Sequence, residues 1–227
     1  MIGLMPFMPP SGGPPLTLFS DSTGSNYPAG LQNGDIGILL ETRSFATTAA
    51  SPPGGLTAVT GMSTMLNHSV PTSYLGPGQN AETKYGHYQA RISQRSLTAS
   101  LSGTAIGGAP TTRRLLVFRH PAALTVQAVV MKSSEFTSTY IGSVSYAAQP
   151  SPILPIFAVA AARENGVSFP ALSFDGAAPT YYDLSSSGAL CRIGALLGPQ
   201  SPRTIAFNLG SSGAAFPNHA AYNLRRT

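Results

Sequence analysis

Apolar and polar positions alternate with period two in short blocks along most of this chain, and no block keeps helical spacing for more than two turns. Residues 15–20 alternate and stop at a polar turn over 21–26. Asn33-Gly34-Asp35 is a second turn signal. The continuously apolar residues 36–40 after it have the pattern of a strand covered on both faces. Residues 59–70 give a weaker strand. Residues 85–97 give a long amphipathic one, with Tyr88, Ala90, Ile92 and Gln94 on one face and His87, Gln89, Arg91, Ser93 and Arg95 on the other; a helix is the competing reading. Residues 113–119 and 123–131 predict two more strands. Residues 153–162 are apolar but interrupted by Pro155, which predicts a bulge or an edge position. Residues 167–174, 189–197, 203–209 and 219–225 complete the series. Within it, Thr204, Ala206 and Asn208 alternate with Ile205, Phe207 and Leu209 as in a half-buried strand.

Ten to twelve short strands separated by Gly, Pro and Ser turns predict an all-β fold: one β-sandwich or jelly-roll-like domain over 16–227. Residues 44–56, 71–83 and 98–112 predict long Gly/Pro-rich loops, the kind that carry binding or subunit contacts. Residues 1–15 read as an extended N-terminal arm bearing Ile2, Leu4, Met5, Phe7 and Met8. Pro6, Pro9 and Pro10 bar a helix there, and with no basic start the arm does not read as a signal peptide. Its apolar side chains need cover. Two readings stand. The arm folds back on its own domain, or it docks on a neighbouring subunit, where a Pro-rich segment loses little backbone entropy.

Charge sharpens the picture. Only 9% of residues are charged, against about a quarter in ordinary soluble chains. A surface this neutral has little electrostatic protection against association, which predicts cover by neighbouring subunits. The net charge of +5 comes from eleven Arg and two Lys, Lys84 and Lys132, against eight acidic residues. The arginines are scattered rather than gathered into a patch, so nucleic acid is not an expected partner. Arginine suits protein interfaces instead. No apolar run approaches the length of about 20 residues that a membrane helix needs.

Chemistry-bearing patterns are mostly missing. Cys191 is the sole cysteine, in the strand-like Leu190-Cys191-Arg192-Ile193, and reads as a small core residue. His68, His87, His120 and His219 lack metal-ligand spacing, so no metal is expected. There is no Gly-x-Ser-x-Gly elbow, P-loop or EF-hand loop. The expectation is a protein that is not an enzyme, with no catalytic residues and no cofactor. Asp35 reads as a turn residue accepting amide hydrogen bonds, and His120-Pro121 as the end of a strand. Tyr181 and Tyr182 beside Asp183 are the candidate glycan-binding residues, since aromatic faces with a carboxylate suit carbohydrate. A loop with a tyrosine corner is the alternative. Tyr85 and Tyr88 are a second candidate pair, and Asp175 and Asp183 a candidate carboxylate pair.

The block Pro28-Ala29-Gly30-Leu31-Gln32-Asn33-Gly34-Asp35 leads into Ile36-Gly37-Ile38-Leu39-Leu40. An aromatic amphipathic segment at 85–97 follows, then Leu115-Leu116-Val117-Phe118-Arg119, then the small-residue apolar stretch at 153–162. In this order the chain resembles a loose group of tailed-bacteriophage virion proteins, from which it departs in having no Trp. The resemblance implies a β-sandwich displayed on a virion, and it carries no catalytic residues with it. The expected function is a non-enzymatic virion structural protein, a tail or tail-fibre component that assembles through its low-charge surface and its arm. A capsid decoration protein and a carbohydrate- or host-receptor-binding module are the alternatives. Expected partners are other virion proteins, further copies of the chain (a trimer in a fibre) and a host-surface glycan. The expected location is the virion, after synthesis in the host cytoplasm.

Overall fold

Period-two alternation places every second side chain on one face of a strand, and in this chain two such apolar faces close on each other. A computed structural model describes residues 16–47, 54–75, 83–110, 112–133, 141–145, 154–162, 171–195, 204–208 and 218–226. Apart from one 3-10 turn at Ala99–Leu101, the regular structure among them is all strand. The strands are β1 (Thr17–Ser22), β2 (Ile36–Thr47), β3 (Ser63–Leu75), β4 (Thr83–Ser96), β5 (Thr112–Arg119), β6 (Leu124–Ser133) and β7 (Ile141–Ser145). They continue with β8 (Leu154–Ala162), β9 (Ala171–Phe174), β10 (Thr180–Ser186), β11 (Ala189–Ala195), β12 (Thr204–Asn208) and β13 (Asn218–Arg226).

Two five-stranded sheets form, β1-β5-β2-β4-β3 and β10-β11-β8-β13-β6, with a three-stranded sheet β7-β12-β9 beside them. Neighbouring strands run antiparallel throughout. The inner faces of the five-stranded sheets share one core. Ile36, Ile38, Leu40, Ile92, Leu116 and Phe118 come from the first, and Ile156, Ala158, Ala160, Cys191, Ile193 and Leu224 from the second. Polar ties also cross between the sheets. The Tyr222 hydroxyl donates to Met65 O at 2.8 Å, and the Ala162 N–H donates to His68 Nδ1 at 2.8 Å. The all-β, sandwich-like fold read from the pattern is the fold observed.

The first sheet is covered on its outer face too. Leu39, Leu97, Leu115 and Val117 pack beneath Tyr27, Leu31, Val59 and Ile106, which come from the connecting loops. This second core explains why residues 36–40 are apolar without a break. The loops are pinned by backbone hydrogen bonds: Tyr27 N to Thr104 O at 2.9 Å, Ile106 N to Ser25 O at 2.9 Å and Leu97 N to Asp35 O at 2.7 Å. Residues 98–110 thus act as a lid over their own sheet.

The expected strand at 85–97 is found as part of β4 (Thr83–Ser96) and the competing helix is not, because Tyr88, Ala90 and Ile92 alternate into the core. Several other expectations change. Part of the 44–56 loop is strand, since β2 runs to Thr47, and the 71–83 loop shrinks because β3 runs to Leu75 and β4 starts at Thr83. Pro155 is neither at an edge nor in a bulge, for β8 lies in the middle of its sheet. Proline is accommodated there because it is the second residue of the strand. The β11 ladder begins one position later, at Ile156 opposite Ala195, and only Asn223 of β13 stands opposite Pro155. Residues 180–186 form edge strand β10 rather than a loop. The arm residues Ile2, Leu4, Met5, Phe7 and Met8 lie outside the described residues.

Candidate functional site

Glu41 ends the apolar run of β2 at a position facing outward, under the loops. The ladders set Arg91 of β4 directly opposite it on one side and Arg113 of β5 directly opposite on the other. Paired residues share a face, so three ionised side chains line up across three strands. Arg91 donates to Glu41 Oε2 from Nε at 3.2 Å and from Nη2 at 2.6 Å, and Arg113 Nη2 donates to Glu41 Oε1 at 3.0 Å. Glu41 is 1% exposed and both arginines 7%. Two guanidiniums against one carboxylate leave this buried triad with a net charge of +1.

The triad also fastens the loops. Arg91 reaches Leu56 O at 3.3 Å and Thr57 O at 2.7 Å, and Arg113 Nη2 reaches Gly107 O at 2.6 Å. Gly108 lies against it with φ +71°, and a Cβ there would come within 3.3 Å of Arg113 Nη2 and 3.2 Å of Val59 Cγ2, so glycine alone fits. Arg113 Nε is buried without a hydrogen-bond partner. Beside Arg113 opens a cleft of about 630 Å³, walled by residues 107–110 and Thr112 on one side, Thr23 and Ser25 on the other, with Leu184 of β10. Arg43 holds its rim through Ala109 O at 3.0 Å.

The other ion pairs are also internal. Asp35 accepts from Gln32 N at 2.8 Å, as a turn residue should, and takes Arg119 at 2.8 and 2.7 Å. Hydrogen bonding to Asp35 holds the Arg119 guanidinium more firmly protonated than usual. Arg119 also stacks 3.7 Å above the Phe19 ring. Arg114 binds Asp21 at 2.8 and 2.6 Å and reaches Asp183 O at 2.7 Å. Arg91, Arg113, Arg114, Arg119 and Arg192 thus all serve the inside of the fold. Each is bound to a carboxylate of its own chain.

Tyr181 and Tyr182 are consecutive on β10 and so point to opposite faces. Tyr182 is 5% exposed and meets Phe118 edge to face at 6.4 Å; burial pushes its phenol pKa up. Tyr181 lies under the Arg192 guanidinium at 4.1 Å. Its hydroxyl donates to Leu172 O at 2.9 Å and accepts from Leu172 N at 3.0 Å, a corner-like tie to the backbone. Asp183 takes Arg192 at 2.7 and 2.5 Å. The structure does not bring the two rings and the carboxylate to one platform. Tyr88 is in the core, and the Tyr85 side chain lies outside the described set. Asp175 Oδ1 accepts from Thr204 N at 2.8 Å, while Asp183 is taken by Arg192.

Cys191 is buried, donates weakly to Glu41 O and Arg91 O at 3.5 Å each, and has its pKa pushed up to about 12 by burial. That is the chemistry of an inert core thiol. His120 Nδ1 accepts from Ala122 N at 2.9 Å, in a turn. Among the described residues no three His, Cys, Asp or Glu gather as a metal site. No protein-family model matches the chain, and no curated protein or solved structure matches it either.

Sequence reasoning singled out neither the triad nor the cleft. The signal is a charge placed straight after five apolar residues on a strand buried on both faces, with arginines at outward positions of two other strands.

Proposed function

We propose that this chain is a non-enzymatic structural component of a bacteriophage virion, placed in the tail or tail fibre and assembling with other virion proteins and with copies of itself. One observation carries the reading. Only 9% of the residues are charged, and of these Asp21, Asp35, Glu41 and Asp183 each hold an arginine of the same chain. A surface with so few charges offers copies little mutual repulsion. A sandwich with outer loops pinned by buried arginines is a stiff block, suited to load and repetition rather than to turnover. The resemblance in segment order to tailed-phage virion proteins supports a virion location.

Antibody labelling of purified phage particles tests this. Label at a fixed place on the tail is the expected result. Label over the capsid surface supports a decoration protein instead, and absence of the chain from intact particles overturns the virion reading.

A further inference from the structure

The cleft beside Arg113 has what a ligand site needs and no part in the proposed structural role. Its volume of about 630 Å³ lies within the roughly 300–1,000 Å³ of ordinary small-molecule sites. No acidic residue lines it. Its one charged wall belongs to a buried triad carrying one positive charge too many, and a buried charge lacking a counterion is costly. The named hydrogen bonds of Arg113 both leave from Nη2, while Nε is buried and unpartnered. Arg113 is therefore the under-compensated member of the triad. Thr23, Ser25 and Thr112 add hydroxyl groups, and Leu184 and Pro110 add apolar surface.

We propose that this cleft binds a small organic carboxylate, its anionic end against Arg113 and its body between the 107–110 loop and Thr23 and Ser25. One excess positive charge calls for a monoanion. The space is too large for an inorganic ion alone, and the mixed hydroxyl and apolar lining calls for an organic body. The carboxylate could be carried by an acidic sugar or by an acidic amino acid, which share the recognised group. The inference stands apart from the virion reading and survives its failure.

The test is a titration of the full chain followed by the backbone amide signals of Gly107, Gly108, Thr112 and Arg113. The probes are glucuronate, free aspartate (net charge of −1, as for glucuronate), and neutral glucose as the control. Saturable shifts with at least one carboxylate and none with glucose are expected, and the tighter carboxylate identifies the body. Ala109→Phe fills the cleft from an exposed position while leaving the triad in place; it weakens binding by about tenfold or more. Arg113→Lys keeps the charge but loses the planar fork, and weakens binding by about tenfold. Three results each overturn the proposal: no shift with either carboxylate, equal shifts with glucose, or an unchanged affinity in Ala109→Phe. The last needs no change to the triad, so it decides even if Arg113→Lys fails to fold.

Discussion

Glu41 stands directly opposite Arg91 in the β2–β4 register, and Arg91 gives it two donors, Nε at 3.2 Å and Nη2 at 2.6 Å. Arg113 completes the arrangement from the other ladder. Glu41→Gln would leave two buried guanidiniums without their counterion, at a cost of about 3–5 kcal/mol. Replacing all three residues with Met removes the charges together and should cost less than Glu41→Gln alone. Urea midpoints with unchanged m-values measure both. A triple variant less stable than the single one would contradict this account of the triad.

His68 gives the fold an acid-sensitive point. Its Nδ1 accepts the Ala162 N–H, tying β3 to β8, and burial lowers its pKa from the usual 6.5. The unfolded chain therefore binds a proton at higher pH than the folded protein does. The stability held here is complete above about pH 6.5 and drains away as pH falls below it. Unfolding midpoints taken from about pH 8 to about pH 5 should fall toward acid, with a smaller slope in His68→Asn. An identical slope in the variant would remove His68 from the explanation.

The buried Cys191 thiol, its pKa raised to about 12, should react with a thiol reagent only when the sandwich opens. Its labelling rate should track global unfolding in urea. Rapid labelling of the native protein would contradict the burial described.

The tyrosine pair separates packing from surface recognition. Tyr182→Ala removes a buried ring and should cost about 3–5 kcal/mol. Tyr181→Phe keeps the ring under Arg192 but loses both bonds to Leu172, and should cost about 1–2 kcal/mol. If both variants kept full stability and lost retention of a host glycan, the platform reading would return.

Much of the sandwich was legible because its strands carry their environment in their own period. Ile36 to Leu40 announces a strand with two covered faces, and Tyr88, Ala90 and Ile92 announce the inner face of β4. Asn33-Gly34-Asp35 was legible because turn chemistry is local, and Gly34 does take φ +94°. Strand β10 escaped because Thr180 to Ser186 has hydroxyl groups where a core strand has aliphatic residues, and edge position relaxes that demand. Pro155 misled because its tolerance depends on where the neighbouring ladder begins. The sequence marks Glu41 as an unusual charge but not its partners: Glu41 lies 50 residues from Arg91 and 72 from Arg113 in the chain, and only sheet order and register set them side by side.

The proposed assembly runs through a surface of low charge and through residues 1–15. Sedimentation equilibrium of the full chain and of residues 16–227, across a concentration series, tests it most directly. The account predicts a defined oligomer for the full chain and weakened association when residues 1–15 are removed. A monomer for both at every concentration would contradict it.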